Sequence, residues 1–375
     1  MSKLFKPTRV GSKTLGQRVA LAPLTRYRSD DDWVPLPMVK EYYEQRAAVP
    51  GTLLITEATF ISRSAVGLHN TPGIFTEAQI AGWREVTDAV HRKGSFIYCQ
   101  IWHLGRAGEP PVHAALGTRV KSSSAVSMDG TAAPPEEMTE EEIREVIGDY
   151  AQAAKNAIAA GFDGVEVHGA NGYLVDQFIQ DTSNRRTDGW GGSVENRARF
   201  AIEVVGAVAA AIGGDRTAIR LSPFGDFQGM GMTDPYPQFE YLVRQLKPLG
   251  LSYLHLVEPR ISGIANVASH SLEFLIKLWD NQSPIVLAGG FVPALAFQTA
   301  DNTWKDYNII VAFGRYFISN PDLVFRLKEG IELSEYDRST LYAPKQARGY
   351  TDYPVSDQFQ TLGTRGSASS SLWVV

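Results

Sequence analysis

One cysteine among 375 residues, Cys99, leaves no internal disulfide to form, which suits a reducing compartment. Its setting, F-I-Y-C-Q-I-W, reads as a small buried hydrophobe. No apolar run approaches the roughly 20 residues of a membrane span, and the opening M-S-K-L-F-K-P lacks an apolar signal core. The expectation is a cytoplasmic protein without a membrane partner. Lys and Arg are scattered among the acids at a net charge of −5, so there is no basic stripe for nucleic acid. His91, His103, His113, His168 and His255 show no paired ligand spacing, and no carboxylate cluster completes a set, so no metal site is expected. Apolar material is plentiful instead: 44% hydrophobic against 21% charged residues supplies a large core.

That material is ordered as strand and helix in alternation. Predicted strands are 18–22, 53–56, 95–101, 165–167, 218–221, 253–257, 285–288 and 309–313. Helices are expected over 38–48, 195–211, 237–249, 271–279, 293–304 and 321–329. Two more open on capping boxes, Thr76 with Gln79 and Thr139 with Glu142, and run to Lys93 and Ala160. Eight such units predict an α/β fold, a parallel (β/α)8 barrel over residues 1–355, with its active residues at the carboxyl ends of the strands. Thr8-Arg9-Val10 and Lys13-Thr14-Leu15 flank Gly11-Ser12 as a hairpin able to plug one mouth. Residues 103–138, after the third strand, form an excursion read as a lid. The tail from Ser356 is expected to be poorly ordered around Ser367 to Ser371.

The strand ends carry the chemistry. G-V-E-V-H-G-A-N-G-Y, residues 164–173, passes from apolar strand to His168, Asn171 and Tyr173 within a residue. Three residues of spacing in a helical turn would set His168 beside Asn171, two N–H donors for one carbonyl oxygen, with the Tyr173 phenol as a proton source. A capped turn around a core histidine is the bland alternative. The other tips are Thr25, Ala58, Gln100, Arg220, Gly289-Gly290 and Gly314-Arg315. Glycines after strands seven and eight suit a phosphate, while an amide, a guanidinium and a hydroxyl suit a planar ring rich in acceptors. This inventory fits a flavin. A glycoside hydrolase on the same fold would need two of Glu57, Glu166 and Glu258. Strand seven, however, ends without a carboxylate, and Glu166 shares parity with His168, which reads better as a buried partner for Arg220. A non-catalytic phosphate-binding barrel leaves His168, Asn171 and Tyr173 unexplained.

The phrases A-P-L-T-R, Q-I-W-H-L-G-R, H-G-A-N-G-Y-L-V-D-Q-F, W-G-G-S-V-E-N-R, A-G-G and F-G-R, in this order over nearly the whole chain, resemble the Old Yellow Enzyme family. V-P-G-T-L-L-I-T-E-A-T and G-R-Y-F-I-S-N-P-D-L resemble its fungal members, some of which act in ergot-alkaloid pathways. The resemblance implies an FMN-containing barrel that uses NADPH to reduce the activated alkene of a small enone or enal, as a monomer or homodimer. It further implies that Pro23, Thr25, Ala58, Gln100 and Arg220 hold the isoalloxazine, and that Gly289, Gly290, Gly314 and Arg315 hold the phosphate. His168 and Asn171 would bind the substrate carbonyl, Tyr173 would give the proton, and Trp102 and Tyr342 would line the pocket. An isomerase of an ergot-type unsaturated aldehyde is the alternative within the family. Ala58, Leu68 and Leu341 depart from residues frequent in relatives and bear on substrate shape.

Overall fold

Period-two alternation decides which way each strand side chain points, and here it sorts the apolar residues into two cores. A computed structural model describes residues 1–128, 133–259 and 270–366 of the chain. In chain order the barrel strands are Val19–Leu21 (β1), Leu53–Ile55 (β2), Phe96–Trp102 (β3), Gly164–Gly169 (β4), Thr217–Leu221 (β5), Tyr253–Val257 (β6), Ile285–Ala288 (β7) and Ile309–Phe313 (β8). Each pairs in parallel with the next, and Val311 of β8 lies opposite Val19 of β1, so the sheet closes on itself. Val165, Val167, Ile219, Leu254 and Leu256 face the helices in the larger core. The alternate positions fill the barrel interior with Ala20, Ala218, Ala312, Tyr98, Tyr253 and Val286. Small residues on some strands leave room for tyrosines from others. Gly164 is part of that fit: a Cβ there would lie 2.3 Å from the Tyr98 ring and 2.6 Å from a backbone oxygen.

The same parity turns Gln100, Glu166, His168, Arg220 and His255 inward. Polar groups inside a barrel need partners. Glu166 Oε1 accepts from Gln100 Nε2 at 2.6 Å, and its Oε2 meets His255 Nδ1 at 2.8 Å. Glu166 is thus a buried partner as expected, but for Gln100 and His255 by hydrogen bond, with Arg220 acting on it only through charge. Burial pushes its carboxyl up; His255 and then Arg220 outweigh that and hold it below the usual range. Burial keeps the His255 ring neutral against the pull of that carboxylate.

The barrel helices are Pro37–Arg46 (α1), Glu77–Arg92 (α2), Glu140–Ala159 (α3), Val194–Ile212 (α4), Tyr236–Leu246 (α5), Glu273–Trp279 (α6), Pro293–Gln298 (α7) and Leu323–Glu329 (α8). Both capping boxes form, with Thr76 and Thr139 accepting from the amides of Gln79 and Glu142 while those side chains bond back. Each cap is worth about 1 kcal/mol. α5 stops short of the expected end because Pro248 has no amide to continue the ladder, and a 3-10 turn takes over at Lys247–Leu249. α7 likewise passes into a π-turn at Thr299–Thr303. None of the described helices is long and apolar enough to cross a membrane.

Three segments lie outside the repeat. The hairpin Thr8–Val10 with Lys13–Leu15 sends Val10 and Leu15 into the barrel interior, and Gly11 sits against the Asp215 carbonyl at the amino end of β5, so it closes the amino-terminal mouth. The excursion 103–138 carries a helix, Pro110–Leu116, and a short parallel pair, Lys121–Ser122 with Glu136–Glu137. Ser122 and Ser123 bond Gln177, tying this excursion to the turn after β4. Ser356, anchored on Asp322 Oδ2 at 2.9 Å through its amide, opens a helix Asp357–Gly366 that sets Phe359 on Phe325 of α8. That helix had no clear pattern in the sequence. The expectation for Ser367 to Ser371 lies outside the described residues.

Candidate active site

A cavity of about 700 Å³ opens at the carboxyl ends of the strands. Pro23, Thr25, Asn171, Arg220, Gly289, Gly290, Gly314, Arg315 and Tyr342 line it, nine residues singled out from the sequence. Gly289 and Gly290 carry φ of 137° and 60°, the first of which is open only to glycine, and so bring bare backbone to the wall. Arg315 begins a five-residue helix directly after β8. Ala58 and Gln100 are buried at the tips of β2 and β3 and are not on the lining.

His168, Trp102 and Tyr173, also off the lining, pack on one another at the ends of β3 and β4. Trp102 stacks on His168 with centroids 6.1 Å apart, and Tyr173 stands edge-on to both, at 4.6 Å and 4.9 Å. In register His168 is opposite the cavity-lining Arg220. The two-donor geometry inferred from a helical turn needs correction: His168 is still in β4, and Asn171 follows in a left-handed turn with φ of 58°. Asparagine tolerates that conformation better than most side chains. Its backbone N–H donates to Ser222 Oγ at 2.8 Å.

Electrostatics set the protonation states. Burial, then the charges of Arg220 and His255, hold His168 neutral well below its ordinary range. Its Nδ1 accepts from the Ala170 amide at 3.3 Å, which assigns the ring proton to Nε2 as a donor. Burial pushes the Tyr173 phenol up to about 12, so it keeps its proton through the physiological range. Arg220 is the reverse case: desolvation weakens its hold on a proton, and Glu166 offsets only part of that.

Of the outer wall, the sequence points only to Leu341 and Tyr342. Phe291, Tyr316, Tyr336 and Arg338 join them on the lining, and Arg315 lies 5.1 Å from the centre of the Tyr336 ring. Residues 336–342 have no periodicity to read. Buried arginines fix this stretch and the strap that follows it, and Arg46 ties the strap to the helix after β8. Arg26 donates to the carbonyls of Leu341 (3.0 Å) and Gly349 (2.7 Å), Arg28 to Thr340 (3.1 Å) and Gln346 (2.9 Å), and Arg46 to Phe317 (3.0 Å) and Tyr350 (3.2 Å). Tyr42 stacks on Tyr350 at 4.1 Å. Tyr342 is held over the cavity in this way while remaining 66% exposed.

Glu57 is the acid of this cluster. Its Oε2 accepts from the Arg26 amide at 3.1 Å, and its Oε1 is buried without a partner. Burial therefore raises it from 4.5 to about 7, with Arg26 pulling the other way. The fold prefers the protonated acid, so the stability it contributes is complete below 4.5 and lost as pH rises through about 7. Thermal midpoints measured across that window should fall with rising pH, and Glu57→Gln should flatten the slope. An unchanged slope in the variant would refute the assignment.

The same residues test a cofactor. Arg220 Nε is buried and has no partner, while the side chain lines the cavity. A guanidinium with an unused N–H fits a flat ring bearing acceptors, and the glycines across the cavity fit a phosphate. Barrel and cavity together belong to the class of flavin-binding (β/α)8 barrels. Residues 3–334 match the NADH:flavin oxidoreductase / NADH oxidase family. The chain is 56% identical over 362 residues to chanoclavine-I aldehyde reductase fgaOx3 of Penicillium roqueforti, covering 96% of this chain and 98% of the relative. It is 53% identical to the NADP-dependent oxidoreductase lnbE of Aspergillus flavus, covering 96% and 97%. The crystal structure of Old Yellow Enzyme from Pichia sp. superposes with a TM-score of 0.88 at 39% identity, covering 95% of this chain and 94% of the other. The chain belongs to the Old Yellow Enzyme family and is a flavin-dependent oxidoreductase that takes a nicotinamide reductant.

Proposed function

We propose that this enzyme is a cytoplasmic, NADPH-dependent ene-reductase of α,β-unsaturated aldehydes and ketones. What supports the reading is the end of β4, where a neutral His168 that carries its proton on Nε2, the cavity-lining Asn171 and the protonated Tyr173 phenol follow one another within six residues. FMN held there would supply hydride-transfer chemistry between a nicotinamide and an activated alkene. The chain does the rest. Pro23, Thr25, Ala58, Gln100 and Arg220 receive the ring system, and Gly289, Gly290, Gly314 and Arg315 receive the phosphate. His168 and Asn171 donate to the carbonyl oxygen, where negative charge grows as the β-carbon accepts hydride, an effect worth about 2.7 to 4 kcal/mol for one well-placed donor. Tyr173 protonates the α-carbon. Trp102 and Tyr342 bound the space left for substrate.

Two relatives support the finer points: one is named for an aldehyde substrate and one for NADP. Isomerisation of an unsaturated aldehyde returns the hydride and has no use for a proton donor, so the Tyr173 phenol favours net reduction. The test is direct. The purified protein should be yellow and release FMN on denaturation; NADPH should bleach it anaerobically, and an enal should restore the colour and yield the saturated aldehyde. FAD, no flavin even after FMN is offered, or no recovery with any enal or enone would overturn the proposal.

A further inference from the structure

Asn171 and Gly172 are consecutive residues with positive φ, 58° and 76°, so the turn that carries Asn171 and Tyr173 is not held by a strand or helix ladder. Side chains hold it instead. The Asn171 backbone N–H donates to Ser222 Oγ at 2.8 Å, and the Gly172 backbone N–H donates to Asp176 Oδ2 at 2.8 Å. The Gly172 carbonyl accepts from Gln177 Nε2 at 2.7 Å. Ser222 and the Asp176 carboxyl, which take these two N–H groups, also act on one another. Gln180 Nε2 donates to the other oxygen, Oδ1, at 2.8 Å. Asp176, Gln177 and Ser222 are all buried, and none of them lines the cavity.

Burial raises the Asp176 acid to about 7, and the donors of Gln180 and Gly172 pull the other way, lowering the cost of a charge in this position. Asp176 lies on the six-residue helix Leu174–Ile179, and Ser222 immediately follows β5. The link therefore joins the β4 turn to the next strand of the barrel. A turn pinned from two elements has one conformation, and that conformation aims Asn171 at the cavity.

We propose that Ser222 and Asp176 are positioning residues for the ene-reductase reaction, holding the 170–173 turn so that Asn171 presents its side-chain amide to the substrate oxygen. This rests on the function proposed above. Through Gly172 the same pair fixes the start of Tyr173.

A double-mutant cycle separates positioning from general stability. Ser222→Ala is made in the wild-type and in the Asn171→Ala background, each as the FMN-loaded full chain, and p-chlorophenol is titrated against the oxidised flavin. Removing the hydroxyl should weaken phenol binding about tenfold in the wild-type background and by less than about twofold once Asn171 is gone, because coupled residues are not additive. Flavin content and the spectrum without ligand should not change. An equal factor in both backgrounds, or no loss in either, overturns the proposal. Asp176→Asn, which turns amide hydrogens toward the donors of Gly172 or Gln180, should show the same non-additivity; if that variant does not fold, Ser222→Ala decides alone. Asn171→Ala by itself tests the other claim, since wild-type phenol affinity there would remove Asn171 from the oxygen site whatever the cycle shows.

Discussion

In a Tyr173→Phe variant the reduced enzyme should be reoxidised by cyclohexenone about 10²- to 10⁴-fold more slowly, the range typical of a lost general acid. Its reduction by NADPH should run at nearly the wild-type rate. The phenol is pushed up to about 12 by burial, so it is a proton donor at every working pH and does not depend on its own titration. Its ring stands edge-on to Trp102 at 4.6 Å and His168 at 4.9 Å, contacts a phenylalanine retains. The substitution thus removes the acid and little else. A nitroalkene should be less affected, since hydride addition gives a nitronate stable enough to leave and be protonated by water. If Tyr173 only packs, both substrates change slightly and alike. Stopped-flow reoxidation with one enone and one nitroalkene distinguishes the two, and equal small effects would take Tyr173 out of the mechanism.

The His168→Ala, Asn171→Ala double variant should lose the long-wavelength charge-transfer band that phenolates give with an oxidised flavin. A hydrogen bond to a charged partner is worth about 1.5 to 3 kcal/mol, so each donor accounts for roughly ten- to a hundredfold in phenolate affinity. His168 reaches this role because burial and Arg220 keep it neutral, and because the Ala170 amide claims Nδ1 and leaves Nε2–H free to donate. A histidine held as a cation would bind phenolate more tightly still, and its affinity would fall as pH rose through the usual histidine range. Affinity for the phenolate form should instead be level there. Wild-type titration by the double variant would end the oxygen-gripping role of the pair.

Much of this was legible along the chain because it depends on local pattern. Alternation of short apolar runs with capped amphipathic helices is local, and it specified eight strands, three with the bounds found and five within two residues of them. Strand parity is local too, and it placed Glu166, His168 and Arg220 inside. The glycines after β7 and β8 and the cluster at the end of β4 stand at fixed offsets from strand ends, so the barrel topology alone gathers them at one rim.

Partner choice was decided by the tertiary structure. Glu166 shares parity with several inward residues, and only the closed barrel shows that Gln100 and His255 reach its oxygens while Arg220 acts at a distance. Asn171 sits three residues from His168 by sequence, but a left-handed turn sets their relation, and the groups that hold this turn come from the following helix and the next strand. The wall at 336–342 depends on arginines some three hundred residues earlier, whose guanidiniums satisfy carbonyls of an irregular strap. Period and capping are properties of neighbours in sequence and can be read there. A buried charge takes its partners from whatever the fold brings within about 3 Å, and that is known only once the chain has closed on itself.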